Sequence, residues 1–584
     1  MMNKTIWTPQ NIALILIPAA LLAVLVVSLN DVATAQQLFV KSTYYLLMAT
    51  VLCWAGTHIH AARDLRREAV VAWVKENWPG LVVALVVTVI AWLAVQPALR
   101  ILSDEANLVG TSKNFFTSKS ATFTVSGKNY YDSYWDVDVA IDRRPTLFPF
   151  LVSLLHTACG YSYKNVFLFN LMVLPVFVLV SYRLAKSLGG EVFAIVVALF
   201  VVAHPITLVT VRSGSFDFLT VFFALLIMKN LLDYTRQQSP ARLAVLWMSL
   251  CMFSEIRYES ALFIPPVVAL LLVFRMIKWN TLRPYALVYA LTPAFFLPRI
   301  WQAVLRGNVP EQEPGTTTFS VDNLFNNAYE YFKPVLSPFH DYPAHSATLI
   351  ALGALGCMLW LRWLYGRVLE RDRATPQFRF GIFVVAWMVL QVLIVFTYAW
   401  GRAQYPTAAR LVIAIDTFLS FAAAWLLTRV LQRFRPFVSV MLAAAVLAIH
   451  LPVAAQHRFM NKLTQSRENS TTWRYFDSLH EKRILIVSDR PNLFTIMDYG
   501  AMNFETARKD RYLFTAFERH LFLDIYVVQQ IRFSTKQPVP GYDLWPTRKL
   551  ETMLEFQNDA DVLIRISRVA HETPERMPQT QTAP

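Results

Sequence analysis

Long apolar runs separated by short polar or basic connections fill the first 453 positions, and the pattern changes after Pro452. A helix needs about 20 mainly apolar residues to cross a hydrocarbon core. Runs of that kind predict about thirteen membrane helices, near 11–30, 42–61, 79–99, 164–185, 190–205, 216–234, 241–256, 259–275, 284–303, 346–366, 378–399, 410–429 and 436–453. The stretch Arg63 to Trp78, with its arginines, Trp73 and Trp78, reads as a short helix lying at the cytoplasmic interface. The apolar piece Leu147 to Cys159 is too short to cross easily and is bounded by proline and glycine, so it reads as an interfacial or re-entrant helix.

Beyond Pro452 the periodicity becomes that of a small α/β domain. Arg483 to Ser488 is a short strand of the buried type, a loop with Pro491 and a helix follow, and a second strand falls at Asp561 to Ile566. No glycine-rich phosphate loop follows the first strand, so nothing there points to nucleotide binding. The expected fold class is a multispanning α-helical membrane protein with a small C-terminal extracytoplasmic α/β domain. Its expected divisions are a membrane domain over 1–453, with large loops at 100–163 and 304–345, and the α/β domain over 454–584 with a disordered tail.

Composition agrees with a membrane protein: 55% of the residues are hydrophobic and only 16% are charged, the charges being confined between the apolar runs. The formal net charge of +15 is explained by basic residues flanking spans. No basic face with interleaved aromatics forms a compact domain, which excludes nucleic acid as a partner. Cys53, Cys159, Cys251 and Cys357 are far apart and show neither a metal-binding spacing nor a disulfide framework. The run Ile12 to Leu29 is longer than a signal-peptide core and reads as a retained first span. Basic residues recur in alternate connections, which puts those connections in the cytoplasm. The loops 100–163, 204–215, 304–345 and 400–409, and everything after Pro452, then face the other side.

Candidate chemistry gathers on that outer side. Asp104 and Glu105 adjoin the end of a long apolar stretch, where carboxylates are costly and are usually kept by function. They also suit the positive end of a helix beginning there. Arg212 and Asp217 precede an apolar span and can form a structural ion pair or bind phosphate. The sequence Glu255-Ile-Arg257-Tyr-Glu259 occupies an outer hairpin, where mutual charge pairing is the plain alternative. Arg402 and Arg410, with Tyr405 and Pro406 between them, occupy another outer turn, where arginines also snorkel. Arginines suit a phosphate near lipid, and a carboxylate beside it can deprotonate an incoming hydroxyl. The combination points to group transfer from a lipid phosphate.

In Asp104-Glu105-Ala106, Arg144-Pro145-Thr146-Leu147-Phe148, Arg212-x4-Asp217 and the Arg402…Tyr405-Pro406 turn, the chain resembles the GT-C superfamily of membrane glycosyltransferases. The likeness is to the aminoarabinose transferases of lipid A and the protein O-mannosyltransferases. It implies a polyprenyl phosphate sugar as donor, a glycan, lipid or protein hydroxyl as acceptor, and inverting displacement in a bacterial inner membrane with a periplasmic active site. It further implies Asp104 as base, Glu105 as an auxiliary group, Asp217 as a supporting carboxylate, and Arg144 as a phosphate contact where the family has lysine. Arg212, Arg257, Arg402 and Arg410 are the further phosphate-binding candidates, and Tyr130, Tyr131 and Tyr405 the candidate sugar or acceptor contacts. No cofactor is expected; adjacent carboxylates can hold a divalent metal, but Asp104, Glu105 and Asp217 lack a diagnostic spacing. The competing classes are a lipid or anionic-solute transporter or flippase and a non-catalytic envelope assembly protein.

Overall fold

Apolar helices form most of the chain because their runs satisfy every backbone group internally while offering hydrocarbon side chains outward. The computed structural model describes residues 9–63, 67–100, 102–130, 133–306, 318–336, 344–369, 375–431, 437–456, 464–510, 512–544, 548–559 and 561–570. Its helices begin with α1 (Pro9–Asn30), α2 (Val32–Ala62), α3 (Arg67–Ala94), α4 (Leu102–Thr117), α5 (Leu147–Cys159), α6 (Asn165–Gly189) and α7 (Glu191–Ala203). They continue with α8 (Pro205–Val211), α9 (Asp217–Arg236), α10 (Pro240–Ser254), α11 (Ile264–Val273), α12 (Trp279–Leu282), α13 (Ala286–Ala290) and α14 (Thr292–Arg306). After these come α15 (Val321–Leu336), α16 (Ala347–Leu369), α17 (Pro376–Thr397), α18 (Ile413–Val430), α19 (Phe437–Ala455) and α20 (Thr464–Asp477).

Among the described residues, eight helices are long and apolar enough to cross a membrane, or nine if α7 and α8, bent by 75° at His204, count as one span. The expectation of thirteen is therefore not met there. The runs at 241–256 and 259–275 yield helices of only 15 and 10 residues, and the run at 284–303 is divided between α13 and α14. An apolar run does not by itself fix helix length, and these runs are apolar without forming a single helix of span length. Nor is Arg67 to Trp78 a separate interfacial helix: α3 continues through Pro79 without a break. The piece 147–159 is helical as expected, at 13 residues. The expected disordered tail lies outside the described residues.

The chain divides into two units, one comprising residues 1–101, 111–122 and 141–463, the other 102–110, 123–140 and 464–584. Within the first, every residue of α8 is buried, and Phe177 of α6 meets Phe218 of α9 edge to face at 5.0 Å. Close approach of α16 and α18 is made possible by Gly353 and Gly356. A Cβ at Gly353 would lie 2.6 Å from the Leu419 carbonyl oxygen, and one at Gly356 would fall on that of Ala422.

The second unit is built on a seven-stranded mixed sheet in the order β2-β1-β4-β3-β5-β7-β6. Its strands are β1 (Phe123–Tyr130), β2 (Ser133–Ala140), β3 (Ile484–Val487), β4 (Gly500–Met502), β5 (Asp524–Arg532), β6 (Leu550–Gln557) and β7 (Val562–Val569). The strands expected at 483–488 and 561–566 are thus β3 and β7. β3, wholly buried between parallel β4 and β5, explains the uninterrupted Ile-Leu-Ile-Val run that marked it in the sequence. Two of the seven strands come from the first large loop, β1 joining β4 through the Gly127–Ala501 pair. The Lys128 ammonium lies 2.6 Å from the Asp510 carboxylate and ties the β1–β2 hairpin to the rest of this unit.

Candidate functional site

The first unit holds the densest group of predicted charges, at the start of α9. Asn170 of α6 donates from Nδ2 to the carbonyls of Ser213 and Ser215, both at 2.9 Å, and fixes the turn after α8. Ser215 Oγ donates to Asp217 Oδ2 and accepts the Asp217 backbone N–H at 3.1 Å. Asp217, 1% exposed, is thereby held in the first turn of α9. There Arg257 Nη1 donates to Oδ1 at 2.6 Å, and Arg410 Nη1 donates to Oδ2 at 3.3 Å. Glu259 Oε1 lies 2.7 Å from Arg257 Nε, and the Arg257 guanidinium rests over the Phe216 ring at 5.6 Å. Thr220 and Gln391 share the lining of this small cleft.

Formally the four charged groups cancel. Each guanidinium nevertheless carries five N–H donors in a planar fork, and one donor of each is committed to Asp217. The carboxylate acts as a bracket that holds two guanidiniums side by side, the arrangement that suits recognition of phosphate oxygens.

A second network adjoins it through the hairpin at 255–259 that carries Arg257. Arg144 donates from Nη1 to Asp142 Oδ1 at 2.7 Å. Gln302 Nε2 donates to the carbonyls of Asp142, at 3.2 Å, and Arg144. Arg299 donates to the Tyr258 carbonyl at 3.2 Å and lies over the Tyr258 ring at 5.4 Å, while the N–H of Leu147 donates to the Glu255 carbonyl at 3.3 Å. The hairpin at 255–259 therefore organises two charge networks, one through Arg257 and the other through its backbone. Arg299 and Gln302 were hidden in the sequence by the surrounding apolar run, although an arginine within such a run is itself a signal of partners.

The remaining predicted residues are distributed differently. Arg212 does not reach Asp217 through the short sequence interval; its Nε donates to the Val95 carbonyl at 2.9 Å, and its own carbonyl receives Ala98 N–H at 3.2 Å. Arg402 lies over the ring of Tyr405 at 6.0 Å, and Tyr405 is half exposed. In the second unit, Asp104 and Glu105 occupy the first turn of α4, where carboxylates are favoured by the helix dipole, and Glu105 is buried. Asn107, one turn further along, accepts from Asn492 Nδ2 at 2.6 Å. Tyr130 ends β1, with the Lys128 ammonium 5.9 Å from its ring centre. Tyr131 lies outside the described residues.

One buried polar cluster had no counterpart in the sequence reading. His345 Nδ1 lies 2.7 Å from Asp416 Oδ2, Tyr331 donates to Asp416 Oδ1 at 2.7 Å, and His204 Nδ1 is 3.7 Å from the same oxygen. The ligand-capable atoms of His204, His345 and Asp416 all fall within 4.8 Å of one another, close enough in principle to hold a cation. Hydrogen bonds also account for them: His204 Nδ1 accepts Ser346 N–H at 3.2 Å and its Nε2 faces Ser420 Oγ at 3.2 Å. The cluster joins the α7–α8 bend, the entry to α16, α15 and α18. Its members are too widely separated in the sequence for any spacing to reveal it.

No family model and no curated protein matches the chain. Among solved structures, ArnT from Cupriavidus metallidurans in the apo state aligns with a TM-score of 0.50 at 14% identity, covering 85% of this chain and 98% of that one. The same protein bound to undecaprenyl phosphate gives 0.49 at 13% identity, with coverage of 83% and 97%. The apo oligosaccharyltransferase of Archaeoglobus fulgidus gives 0.45 at 12% identity, covering 79% of this chain and 70% of that one. The chain is a multispanning α-helical membrane protein with a mixed sheet, and its fold is similar to that of ArnT. The particular relation is a fold shared with ArnT over nearly the whole of that protein.

Proposed function

We propose that the protein is a glycosyltransferase that moves a sugar from a polyprenyl phosphate to an acceptor hydroxyl at the extracytoplasmic face of a bacterial inner membrane. The observation that carries this reading is the pair of guanidiniums, Arg257 and Arg410, bracketed by buried Asp217 on an ArnT-like fold. Such a bracket is matched to the charge of a lipid phosphate, which is expensive to bring near hydrocarbon without cationic partners. Undecaprenyl phosphate is the ligand of ArnT and sets the donor class to be tried first.

In the proposed reaction the acceptor oxygen attacks the anomeric carbon from the face opposite the phosphate. The bond between that carbon and the phosphate oxygen breaks, its electron pair leaves with the polyprenyl phosphate, and configuration inverts. Asp104 takes the hydroxyl proton, with Glu105 beside it in the first turn of α4. Arg257 and Arg410 stabilise the charge gathering on the leaving phosphate, while Asp217 keeps them positioned. General-base catalysis contributes about 100- to 10,000-fold. Asp104→Asn is therefore expected to lose at least about 100-fold in turnover while retaining donor binding.

The test combines purified protein in lipid nanodiscs with a radiolabelled polyprenyl phosphate sugar and a panel of hydroxyl acceptors. Release of polyprenyl phosphate together with labelled acceptor supports the proposal, and full activity in Asp104→Asn rejects the base assignment. Translocation of the labelled lipid in sealed liposomes, without cleavage on any acceptor, would replace the enzyme by a flippase.

A further inference from the structure

The helices α16 and α18 approach closely at Gly353 and Gly356. Between their C-terminal parts lies a groove of about 680 Å³, walled by Arg362, Trp363 and Arg367 on α16 and by Trp425 and Arg429 on α18. The Arg367 guanidinium rests 5.6 Å above the Trp363 ring, and that of Arg429 rests 4.7 Å above the Trp425 ring. Among the described residues, none that lines the groove is acidic. Among the described residues, neither Arg362 nor Arg429 enters an ion pair.

We infer that this groove is a binding site for an anionic glycerophospholipid, with the phosphate among the three guanidiniums and an acyl chain running along the apolar rim. Arginines at span ends often snorkel singly into water. Here three of them line one concavity, and two lie over indoles, the side chains that prefer the headgroup level of a bilayer. The helix ends contribute partial negative charge, which the arginines exceed. The rim is hydrocarbon: Leu359 is 40% and Val430 62% exposed, and Met358 and Leu361 stand beside them on the outward side of α16. A cationic floor with an apolar lip matches a ligand that is anionic at one end and fatty at the other. Basic pockets between membrane helices recognise anionic headgroups by this logic.

The groove is separate in residues from the Asp217 cluster, so the proposal stands whether or not the enzyme reading holds. Native mass spectrometry of the purified protein, titrated with phosphatidylglycerol or phosphatidylcholine of the same acyl composition, measures the preference directly. Phosphatidylglycerol is expected to bind at least about 10-fold tighter. The double substitution Arg362→Gln with Arg429→Gln should weaken it about 30-fold, about 2 kcal/mol at 1.4 kcal/mol per decade, and leave phosphatidylcholine unchanged. Equal binding of the two lipids by the unsubstituted protein overturns the inference without depending on any variant. So does undiminished phosphatidylglycerol binding in the double variant. Glycerol 3-phosphate should fail to displace the lipid; full displacement at comparable concentration would make the site one for a soluble phosphate and would overturn the lipid assignment.

Discussion

Asp217→Asn isolates the bracket on which the site depends. The substitution keeps the shape of the side chain but removes the charge that receives Arg257 at 2.6 Å and Arg410 at 3.3 Å. A hydrogen bond to a charged group contributes about 1.5–3 kcal/mol, and removing one partner of a buried pair costs about 3–5 kcal/mol. The longer Arg410 contact is the weaker of the two. Arg257 also keeps Glu259, 2.7 Å from its Nε, so its charge is not left wholly uncompensated. These offsets place the expected loss near the lower end of that range, at about 3 kcal/mol. Reversible unfolding by SDS titration in mixed micelles measures it, and the cycle with Arg257→Gln measures the pair. A coupling of about 2 kcal/mol is expected, because with Arg257 gone the amide leaves only the Arg410 contact impaired. A loss below about 0.5 kcal/mol in Asp217→Asn, or additive single substitutions, would refute the reasoning that one carboxylate holds both guanidiniums.

Other perturbations separate the remaining features. His156 lies buried in α5, its Nδ1 accepting from Asn165 at 3.0 Å and its Nε2 facing Ser112 Oγ at 3.1 Å, and burial lowers its pKa to about 4. The unfolded chain therefore takes up the proton first as pH falls from about 6.5. Stability present above that value should decline by up to about 3 kcal/mol on reaching pH 4, and thermal midpoints of His156→Gln should show that much less acid sensitivity. Gly356→Ala drives a methyl group onto a backbone carbonyl of α18 and should cost about 1–3 kcal/mol, seen as a lowered unfolding midpoint, whereas Gly366→Ala, with open space at its Cβ, should be near neutral. Asp416→Asn disturbs the buried carboxylate that meets both Tyr331 and His345 and should destabilise the protein by about 1–3 kcal/mol in the same SDS titration; an unchanged midpoint would remove the cluster from the architecture.

The sequence disclosed charges more readily than their partners. Asp217, Arg257 and Arg410 stood out singly because charge near an apolar span is costly, yet 153 positions separate Arg257 from Arg410 and no local pattern joins them. Proximity in sequence misled for Arg212, whose helix-terminal geometry sends Nε to the Val95 carbonyl just beyond α3 and not toward Asp217. Periodicity found β3 because all four of its residues are buried, but β2 is mainly exposed and carried no equivalent apolar signal. Its partner β1 joins the rest of the sheet through β4, which lies in a distant part of the chain. The expected count exceeds the eight or nine span-length helices among the described residues because apolar runs do not show where a helix breaks, as at α10 and α11, which are only 15 and 10 residues long. The histidines escaped notice because a lone histidine in an apolar run has no meaning until Asp416 is beside it.

The sheet also imposes an order on biosynthesis. Its hairpin ends at Ala140 and β4 begins at Gly500, so 359 positions intervene. At about 5–20 residues per second, the ribosome needs roughly 20–70 s to supply the missing partner. Throughout that interval the β1 edge later covered by β4 has only solvent, or another nascent chain, to satisfy it. Assembly of this unit is thus a waiting problem, in which the earliest strands are vulnerable to intermolecular pairing until the last segment emerges.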